Sequence, residues 1–390
     1  MKLLMLNGGP RGLGTFNRAF HLGCEFVRRG HRVSLFTSST KKTHFIIRKE
    51  WVDGVEVIET PWPILNLDVW ELGFGLVENW VRALHTIKER FDIIHTFQHV
   101  PSSMLPGFLG KYLRHAIWVS DWDDLWTEGG IFDRPRHFPL FYNGLFLFEH
   151  RMRRFADAVT TVSQELYERA VALGIPKVSL LKLWNGVDLK RFFPCPKREA
   201  RKTLNLPQEL PILEFVGDCQ TDMDLLLDSF TRVRQKYPEV RLLIVGSYRK
   251  HWEGVMKKLE LEGHLIHRGL CPYDQIPLYM SAADILLLPM KEKLFNKARF
   301  PIKFGEYLAV EKPIVMVPIG EIGVIARQNN LGYLTAPLAE DFSEKIIYLL
   351  SHPEEGERMG KKQREFALTT LGWDKIANQL EAFYTQLLNR

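Results

Sequence analysis

The sequence predicts an α/β protein built from two doubly wound, Rossmann-like domains. Short apolar runs alternate with helix-compatible segments along almost the whole chain, which is typical of βαβ units and parallel sheets. This rhythm breaks once, at residues 186–211, where the chain becomes polar and contains four prolines, and it then restarts. The length of 390 residues also exceeds the roughly 250–300 residues at which single cores stop growing.

Each half of the chain has its own series of predicted strands, with helices between them. In the first half we predict strands at residues 3–6, 33–37, 55–60, 93–96, 117–120, 159–162 and 178–183. In the second half we predict strands at residues 212–216, 241–245, 264–267, 285–288 and 314–317. The predicted domains are therefore 1–190 and 191–372, followed by a helical segment, 373–390, with apolar residues at helical spacing.

Composition restricts the function classes. Lys plus Arg number 52 and Asp plus Glu 46, and the resulting net charge of +6 is spread along the chain rather than concentrated as in a nucleic-acid-binding stripe. The cysteines are too far apart for a disulfide framework or zinc ribbon, which favours a reducing cytoplasm: Cys24, Cys195, Cys219 and Cys271. The first apolar run is too short for a signal peptide or a membrane span.

Two segments rich in aromatic residues depart from the strand-helix rhythm. Residues 62–81 include Trp62, Trp70 and Trp80, and residues 138–148 precede a basic cluster at 151–154. These segments are either buried core helices or a surface that meets a lipid or a lipid-linked acceptor.

The loop after the first strand contains Gly8, Gly9, Gly12 and Gly14 and leads into a helix. Glycines let a backbone approach a ligand, and a helix N-terminus attracts anions, so this is either a ligand-facing loop or a structural tight turn. The loop lacks a GxGxxG fingerprint, and no acidic residue ends the second strand, which argues against a dinucleotide.

Asp121, Asp123 and Asp124 directly follow the strand predicted at 117–120, so they lie at its carboxyl end. Carboxylates there could bind magnesium or manganese, cap a helix, or orient an acceptor. We favour capping and acceptor contact over a metal site.

The densest signal lies at residues 296–313. Pro301 suits the first turn of a helix, and Lys303 and Glu306 then share one helical face. A lysine near a helix N-terminus can neutralise a diphosphate, and a glutamate one turn later can accept both hydroxyls of a ribose. The alternative is an ordinary surface ion pair.

The order of several motifs resembles the retaining glycosyltransferases of GT-B fold, in the group called family 4 or glycosyl transferases group 1. The matching segments span nearly the whole chain: residues 156–163, 184–188, 267–269, 276–279, 283–289 and 301–309. The resemblance implies two domains facing across a cleft, with the last helix, 373–390, packing back on the first domain. An ordinary terminal helix of the second domain is the alternative.

The resemblance also implies roles for individual residues. The second domain would hold a nucleotide-sugar donor, with Lys303 at the diphosphate as a catalytic residue and Glu306 at the ribose. Arg268, Gly269 and Leu270 would meet the nucleobase, Gly12 and Gly14 would lie under the phosphates, and Asp121 would contact the transferred sugar as a second catalytic residue.

Two departures from the family pattern concern the donor site. Ala298 stands where many relatives have an acidic sugar contact, and residues 215–224 lack the basic pair that often follows this strand. The nearest replacement cations are Lys303, Arg299, Lys297 and Arg11, of which we assign Arg299 to donor binding. A departing nucleoside diphosphate needs positive charge, which these residues supply.

The resulting expectation is an enzyme that transfers a hexose to a glycan, lipid-linked or small-molecule acceptor in cell-envelope or polysaccharide biosynthesis. We expect no cofactor and no essential metal, no nucleic-acid partner, and a cytoplasmic location with possible contact at the inner face of the membrane. A noncatalytic scaffold that binds nucleotide or glycan and a sugar-nucleotide epimerase are the alternatives.

Overall fold

The structure, a computed structural model, describes residues 1–12, 14–39, 46–61, 75–132, 139–217, 222–247 and 250–390. The chain divides into two compact units. Unit 1 contains Met1–Gly186, Lys297–Phe300 and Trp373–Arg390, and unit 2 contains Val187–Asn296 and Pro301–Gly372. Each unit is an α/β domain with its own sheet, which confirms the predicted fold class.

Among the described residues, unit 1 has an eight-stranded sheet in the order β3-β4-β2-β1-β5-β6-β7-β8. The strands are β1 (Lys2–Pro10), β2 (Arg32–Ser38), β3 (Arg48–Val52), β4 (Val55–Thr60), β5 (Ile93–Phe97), β6 (Ile117–Trp122), β7 (Ala158–Thr161) and β8 (Leu180–Lys182). All neighbours pair in parallel except β3 with β4. The order reverses between β1 and β5, and in open α/β sheets ligands bind outside the carboxyl ends of strands at such a point.

Helices cover both faces of this sheet. They are α1 (Gly14–Arg28), α2 (Leu76–Lys88), α3 (Pro101–Arg114), α4 (Pro139–Phe146) and α5 (Gln164–Ala172), with a π-helix at Leu147–Arg151. The last helix of the chain, α15 (Trp373–Leu388), also belongs to unit 1. Its residues Ile376, Leu380, Phe383 and Leu387 are buried in the same core as Leu3 of β1, as their helical spacing indicates.

Unit 2 has six strands within the described residues, in the order β11-β10-β9-β12-β13-β14. They are β9 (Ile212–Val216), β10 (Arg241–Val245), β11 (Leu265–Gly269), β12 (Ile285–Leu288), β13 (Ile314–Met316) and β14 (Tyr333–Leu334), and every neighbouring pair is parallel. The order reverses at β9 and β12, which places the expected crevice at their carboxyl ends.

The helices between α5 and α15 in sequence are α6 (Lys197–Thr203), α7 (Met223–Lys236), α8 (His251–Lys258), α9 (Ile276–Ala282), α10 (Leu294–Ala298), α11 (Ile302–Ala309), α12 (Gly320–Asn329), α13 (Ala339–Ser351) and α14 (Pro353–Phe366). They belong to unit 2, apart from the end of α10, where residues from Lys297 onward group with unit 1. No helix in the described ranges is both long and apolar enough to cross a bilayer.

Each of the predicted strands overlaps an observed one, but the sequence did not predict β3 or the two-residue β14. Strand β3 forms a two-residue hairpin with β4, and its turn residues Asp53 and Gly54 have φ angles of 50° and 81°. Two residues with positive φ define a type I′ turn, for which Asp-Gly is a preferred pair. The sequence does not predict β3 because this segment contains no apolar run, and four of its five side chains are exposed.

Candidate functional site

Three adjacent strands of unit 2 end at glycines with positive φ. Gly217 (126°) follows β9, Gly246 (132°) follows β10, and Gly269 (63°) ends β11. The N–H of Gly217 donates to Val245 at 2.8 Å, and the N–H of Gly246 donates to Gly269 at 2.8 Å. Because these residues carry no Cβ, the carboxyl edge of the sheet presents bare backbone that a ligand can approach. We call these three residues the glycine edge.

Lys303 reaches the glycine edge from the first turn of α11. Its ammonium Nζ donates to the carbonyl of Val216 at 2.9 Å and lies 4.2 Å from the centroid of the Phe215 ring. A Cβ atom on Gly217 would lie only 2.9 Å from this Nζ. The glycine therefore makes room for a half-buried cation at the end of β9.

Glu306 lies one turn further along α11 and is 4% exposed. Its Oε1 accepts a hydrogen bond from the Tyr273 hydroxyl at 2.5 Å. Burial raises the pKa of Glu306 to about 7, although the Tyr273 hydrogen bond and the charges of Lys303 and Arg191 act in the opposite direction. The carboxyl group thus changes protonation near neutral pH, and as a carboxylate it can accept hydroxyl groups.

Tyr273 and Arg191 belong to this site, although the sequence reading did not single them out. The Arg191 guanidinium lies 4.9 Å from the Tyr273 ring centroid, and Phe192 packs edge-on against the same ring at 5.4 Å. These contacts hold the hydroxyl that binds Glu306. A tyrosine a few residues after a strand-ending Arg268-Gly269 pair was the available signal.

The residues predicted to meet a nucleobase have different environments. Gly269 is part of the glycine edge, whereas the exposed Arg268 donates to the carbonyl of Leu204 at 3.2 Å. Leu270 is 85% exposed, which is unusual for a leucine and leaves an apolar side chain free to pack on a ring.

In unit 1 the glycine-containing loop lies at the carboxyl end of β1. A Cβ on Gly8 would lie 2.1 Å from the side chain of Val100, so only glycine fits there. Gly12 has a φ of 88° with open space around it, and Gly14 begins α1; Leu13 between them lies outside the described residues. Arg11, one of the replacement cations, forms an ion pair with Glu50.

Asp121 lies against Arg18 inside unit 1. Its side chain is fully buried, and Arg18 binds it with two hydrogen bonds of 2.9 Å, from Nε to Oδ2 and from Nη2 to Oδ1. Burial alone would raise the pKa of Asp121, but the charge and hydrogen bonds of Arg18 outweigh burial and lower it. Because Arg18 binds both carboxylate oxygens, these contacts favour a structural role for Asp121, and its contact with the transferred sugar stays a prediction.

The Arg18–Asp121 pair is the centre of a longer hydrogen-bonded chain within unit 1, which we call the buried relay. On one side, Arg18 donates to Asn185 at 2.9 Å, and Asn185 donates to the carbonyl of Phe300 at 2.7 Å. On the other side, Thr160 donates to Asp121. The members of the buried relay are Tyr384, His95, Thr160, Asp121, Arg18 and Asn185.

Asp123 is the carboxyl group near the loop after β1. It is 8% exposed, and its Oδ2 accepts from the Thr15 hydroxyl at 2.6 Å, whereas Oδ1 has no hydrogen-bond partner among the described residues. Burial and the negative charge of Asp121 raise the pKa of Asp123 to about 6. An unpaired, buried carboxylate oxygen is costly unless something binds it.

Asp124 and Arg299 come together in unit 1. Burial and the charge of Asp123 raise the pKa of Asp124 to about 7, and Arg299 acts against this shift. Arg299 therefore groups with Asp123 and Asp124 in unit 1, while Lys303, four residues later, groups with unit 2. The predicted donor-site cations are divided between the two units.

Glu149 fixes the loop that carries Asp123 and Asp124. It lies in the π-helix Leu147–Arg151 and accepts hydrogen bonds from the backbone of Trp126 at 2.9 Å and of Thr127 at 2.8 Å. The Thr127 hydroxyl and the Trp122 indole also donate to it, at 2.6 and 3.1 Å. Burial would raise the pKa of Glu149, but nearby His99 and these donors hold it at about 2.

The described parts of the two aromatic-rich segments differ in their exposure to solvent. Residues 62–74 and 133–138 lie outside the described residues. In α2, Trp80 is 67% exposed, whereas Leu145 and Phe148 of the second segment are buried. Arg153 of the basic cluster is also buried, with Nη1 donating to Ser120 at 3.0 Å.

No group of three or more His, Cys, Asp or Glu side chains among the described residues is arranged to hold a metal ion. Asp121 is already bound by Arg18, and the carboxyl group of Asp123 is bound by the Thr15 hydroxyl.

Comparisons with known proteins cover both units. Residues 14–186 match the family described as Glycosyl transferase 4-like domain, and residues 196–366 match Glycosyl transferases group 1. The putative teichuronic acid biosynthesis glycosyltransferase TuaH of Bacillus subtilis (strain 168) is 23% identical over 60% of this chain and 57% of its own length. The chain spans about half the length of the first curated relatives it matches.

Other relatives align over nearly their full length. N-acetyl-alpha-D-glucosaminyl L-malate synthase of Bacillus anthracis is 22% identical over 98% of this chain and 94% of that protein. The crystal structure of Anabaena Alr3699/HepE in complex with UDP and glucose superposes with a TM-score of 0.75, at 15% identity, over 99% of this chain and all of that one.

Proposed function

Because the chain belongs to the group 1 glycosyltransferases and has the GT-B fold, we propose that it transfers a sugar from a nucleoside diphosphate to an acceptor with retention of anomeric configuration. The observation that carries the proposal is the arrangement of Lys303 and Glu306 at the glycine edge. A cation and a buried carboxyl, one helical turn apart, match a diphosphate followed by a ribose.

The donor would bind with its diphosphate at the glycine edge. Lys303 would supply the positive charge, and the first amides of α11 would add partial positive charge, because no side chain among the described residues caps this helix. Glu306 would accept the ribose hydroxyls, with its carboxylate oriented by Tyr273. The bound UDP of the HepE structure supports a nucleotide of this kind.

Lys303 would also assist the reaction itself. Negative charge grows on the diphosphate as the glycosidic bond breaks, and a fixed ammonium stabilises that charge without a metal ion. The acceptor hydroxyl would attack from the face that the leaving group vacates, and a departing phosphate oxygen would take its proton. We propose a transfer that needs no divalent cation, which a reaction in excess chelator tests directly.

On the acceptor side we assign Asp123 in place of Asp121. The unpaired Oδ1 of Asp123 is suited to a sugar or acceptor hydroxyl, and the Thr15 hydrogen bond holds the carboxyl in place. Arg299, opposite Asp124, would add a cation to the same loop cluster.

The donor site is tested by nucleotide binding. Lys303→Ala and Glu306→Ala should each weaken UDP binding at least tenfold, because each removes a charge-assisted contact worth about 1.5–3 kcal/mol. Arg358→Ala is the matched control: this arginine forms an i,i+3 ion pair with Glu355 on another helix of unit 2. Unchanged affinity in both variants, measured by calorimetry, would remove the assigned site.

A noncatalytic nucleotide-binding scaffold is the second candidate, and Ala298 favours it. This side chain is fully buried, and its carbonyl accepts from the Ser163 hydroxyl at 2.5 Å, so the position cannot provide the acidic sugar contact found in relatives. Donor turnover distinguishes the two candidates. A scaffold would bind the nucleotide and leave the nucleotide sugar intact at every acceptor tested.

We further propose that unit 1 meets an anionic membrane through α2, consistent with a cytoplasmic enzyme that uses a lipid-linked acceptor. Leu76, Trp80 and Leu84 are spaced four residues apart and are 66%, 67% and 45% exposed, which makes an apolar stripe. The helix ends at the exposed Lys88, and Arg90 follows it. Apolar residues flanked by cations suit the interface of an anionic bilayer.

The membrane contact is tested by vesicle sedimentation. Vesicles with phosphatidylglycerol should bind the protein, and the Trp80→Gln, Leu84→Gln double variant should lose most of this binding. Trp51→Gln is the control, because Trp51 is equally exposed at 73% but lies on β3. The proposed surface would be contradicted if Trp51→Gln lost as much vesicle binding as the double variant, or if the double variant bound vesicles as well as the wild type.

A further inference from the structure

Unit 2 contains a cavity at the edge of its sheet opposite the glycine edge. The cavity has a volume of about 410 Å³ and lies at the amino ends of β9, β12 and β13, beside Pro211, Asp284 and Pro313. In a parallel sheet the amino and carboxyl ends of the strands lie at opposite edges. The cavity is therefore separate from the donor site, and its volume is in the range of small-molecule pockets, about 300–1,000 Å³.

Four of the charged residues that line the cavity are the cations Lys197, Arg201 and Lys312 and the carboxylate Asp284. Asp284 accepts hydrogen bonds from Lys197 at 2.8 Å, from Arg201 at 2.8 Å and from the backbone N–H of Ile212 at 2.7 Å. Arg201 is buried and also donates to backbone carbonyls around the cavity. Both oxygens of Asp284 are thus occupied by partners other than Lys312, the third cation.

Lys312 lines the cavity without a direct partner for its ammonium. No hydrogen bond or ion pair joins this group to another described residue. Burial, with the charges of Lys197 and Arg201, lowers the pKa of Lys312 to about 8, against the attraction of Asp284 and Glu214. The amine therefore remains largely protonated at neutral pH.

Glu214 acts on Lys312 without bonding to it. Its side chain is fully buried in β9, and neither carboxyl oxygen has a hydrogen-bond partner among the described residues. Burial raises the pKa of Glu214 well above its usual range, and the charge of Lys312 opposes this shift. The contacts that the structure describes therefore leave the Lys312 ammonium available to a ligand.

The cavity is also lined by one further cation and three further carboxyl groups: Arg198, Glu209, Glu311 and Glu357. Arg198 and Glu209 form a loose pair at 3.9 Å, with both side chains more than 80% exposed, and Glu357 is exposed as well. The charge of Glu311 acts on Arg364. The walls are apolar and are formed by Leu210, Pro211, Pro313, Leu349, Leu350 and Pro353.

We propose that this cavity binds a small organic anion, with a phosphate or carboxylate head group on Lys312 and an apolar or ring-containing body against the leucine and proline walls. A bare phosphate ion would fill only part of the volume, so the body contributes to the fit. The site lies away from the glycine edge, and its ligand is therefore an effector rather than the donor. The proposal does not depend on the assigned transfer reaction.

The test uses the full-length protein in a buffer free of phosphate, with phenyl phosphate, benzoate and phenol as probes and thermal shift as the readout. Phenyl phosphate or benzoate should raise the Tm in a saturable way, and phenol should not, because it lacks the charge that Lys312 binds. The more effective of the two anions identifies the head group. The proposal would be overturned if phenol raised the Tm as much as the anions do, or if neither anion raised it.

Variants separate this cavity from the donor site. Lys312→Met should lower the affinity for the effective anion at least tenfold and leave the affinity for UDP unchanged. Lys303→Ala should lower the affinity for UDP and leave the affinity for the anion unchanged. Leu350→Glu provides a second variant, since a carboxylate on the wall would repel the probe without removing Lys312. Loss of the anion effect in Lys303→Ala but not in Lys312→Met would assign it to the donor site instead.

A direct measurement on the amine needs no substitution. With the lysines reductively methylated using a ¹³C label, the pKa of Lys312 should rise on addition of the effective anion, because a bound negative charge favours the protonated amine. An unchanged Lys312 titration at saturating anion would contradict the assignment.

Discussion

Asp121 and Asp123 stand two residues apart, and replacing each by asparagine should have opposite effects on stability. Asp121→Asn leaves the fully buried guanidinium of Arg18 without its counterion. Removing one partner of a buried ion pair costs about 3–5 kcal/mol. For a unit of about 200 residues, each kcal/mol lowers the Tm by about 2–4 °C, so the Tm should fall by about 6–20 °C.

Asp123→Asn should leave the Tm unchanged or raise it. The pKa of Asp123 is raised from 3.8 to about 6, so ionising this group in the folded protein costs about 3 kcal/mol at neutral pH. A raised carboxyl pKa means that the folded state binds more protons than the unfolded state between these two pH values, and stability falls as the pH rises through them. Asparagine removes this cost and can still bond to Thr15.

The assay is thermal unfolding followed by circular dichroism at pH 5 and pH 7.5, with UDP binding as a check of unit 2. The Asp123→Asn variant should gain more stability over the wild type at pH 7.5 than at pH 5. A wild-type Tm in Asp121→Asn would refute the structural role of Asp121. Equal destabilisation by both variants would refute the assignment of Asp123 as the group left for a ligand.

Three further predictions concern the glycine edge and the core. Gly217→Ala should weaken UDP binding at least fivefold in calorimetry, because its Cβ would displace the Lys303 ammonium; Gly174→Ala, at a positive φ of 84° with open space around it, should leave binding unchanged. The affinity for the nucleoside of the preferred donor should rise between pH 6 and pH 8, as Glu306 loses its proton at about pH 7, and Glu306→Gln should flatten this profile. Leu380→Ala should lower the free energy of unfolding by about 2–5 kcal/mol in a urea titration, since this fully buried side chain joins α15 to the sheet of unit 1.

Local patterns explain what the sequence predicted well. Most strands could be predicted because each is a short apolar run in the sequence. Lys303 and Glu306 could be placed on one helical face because they are three residues apart. The hairpin of β3 could also have been predicted, because Asp53-Gly54 lies between two β-branched residues. Features that depend on a few consecutive residues can be derived from the sequence.

The contacts that the sequence could not predict are long-range. Arg18 and Asp121 are 103 residues apart in sequence, and no spacing rule joins them. Arg153 belongs to the basic cluster at 151–154, which follows a segment that the sequence left as either buried or at a surface, and its guanidinium lies 4.4 Å from the centroid of the Trp122 ring. When several carboxyl groups or arginines are close in sequence, the one that is buried is the one that finds an oppositely charged or hydrogen-bonding partner in the fold.

The return of α15 to unit 1 has a consequence for the order in which the protein forms on the ribosome. The Tyr384 hydroxyl bonds to His95 at 2.5 Å across 289 residues of sequence, and the core around Leu3 is closed by residues that follow both sheets in the chain. A nascent chain that has reached Gly372 contains every described strand of both sheets, but the apolar side of β1 and α1 still lacks its cover. Unit 2 can therefore complete its folding first, and unit 1 depends on a helix that is translated after all of the described strands.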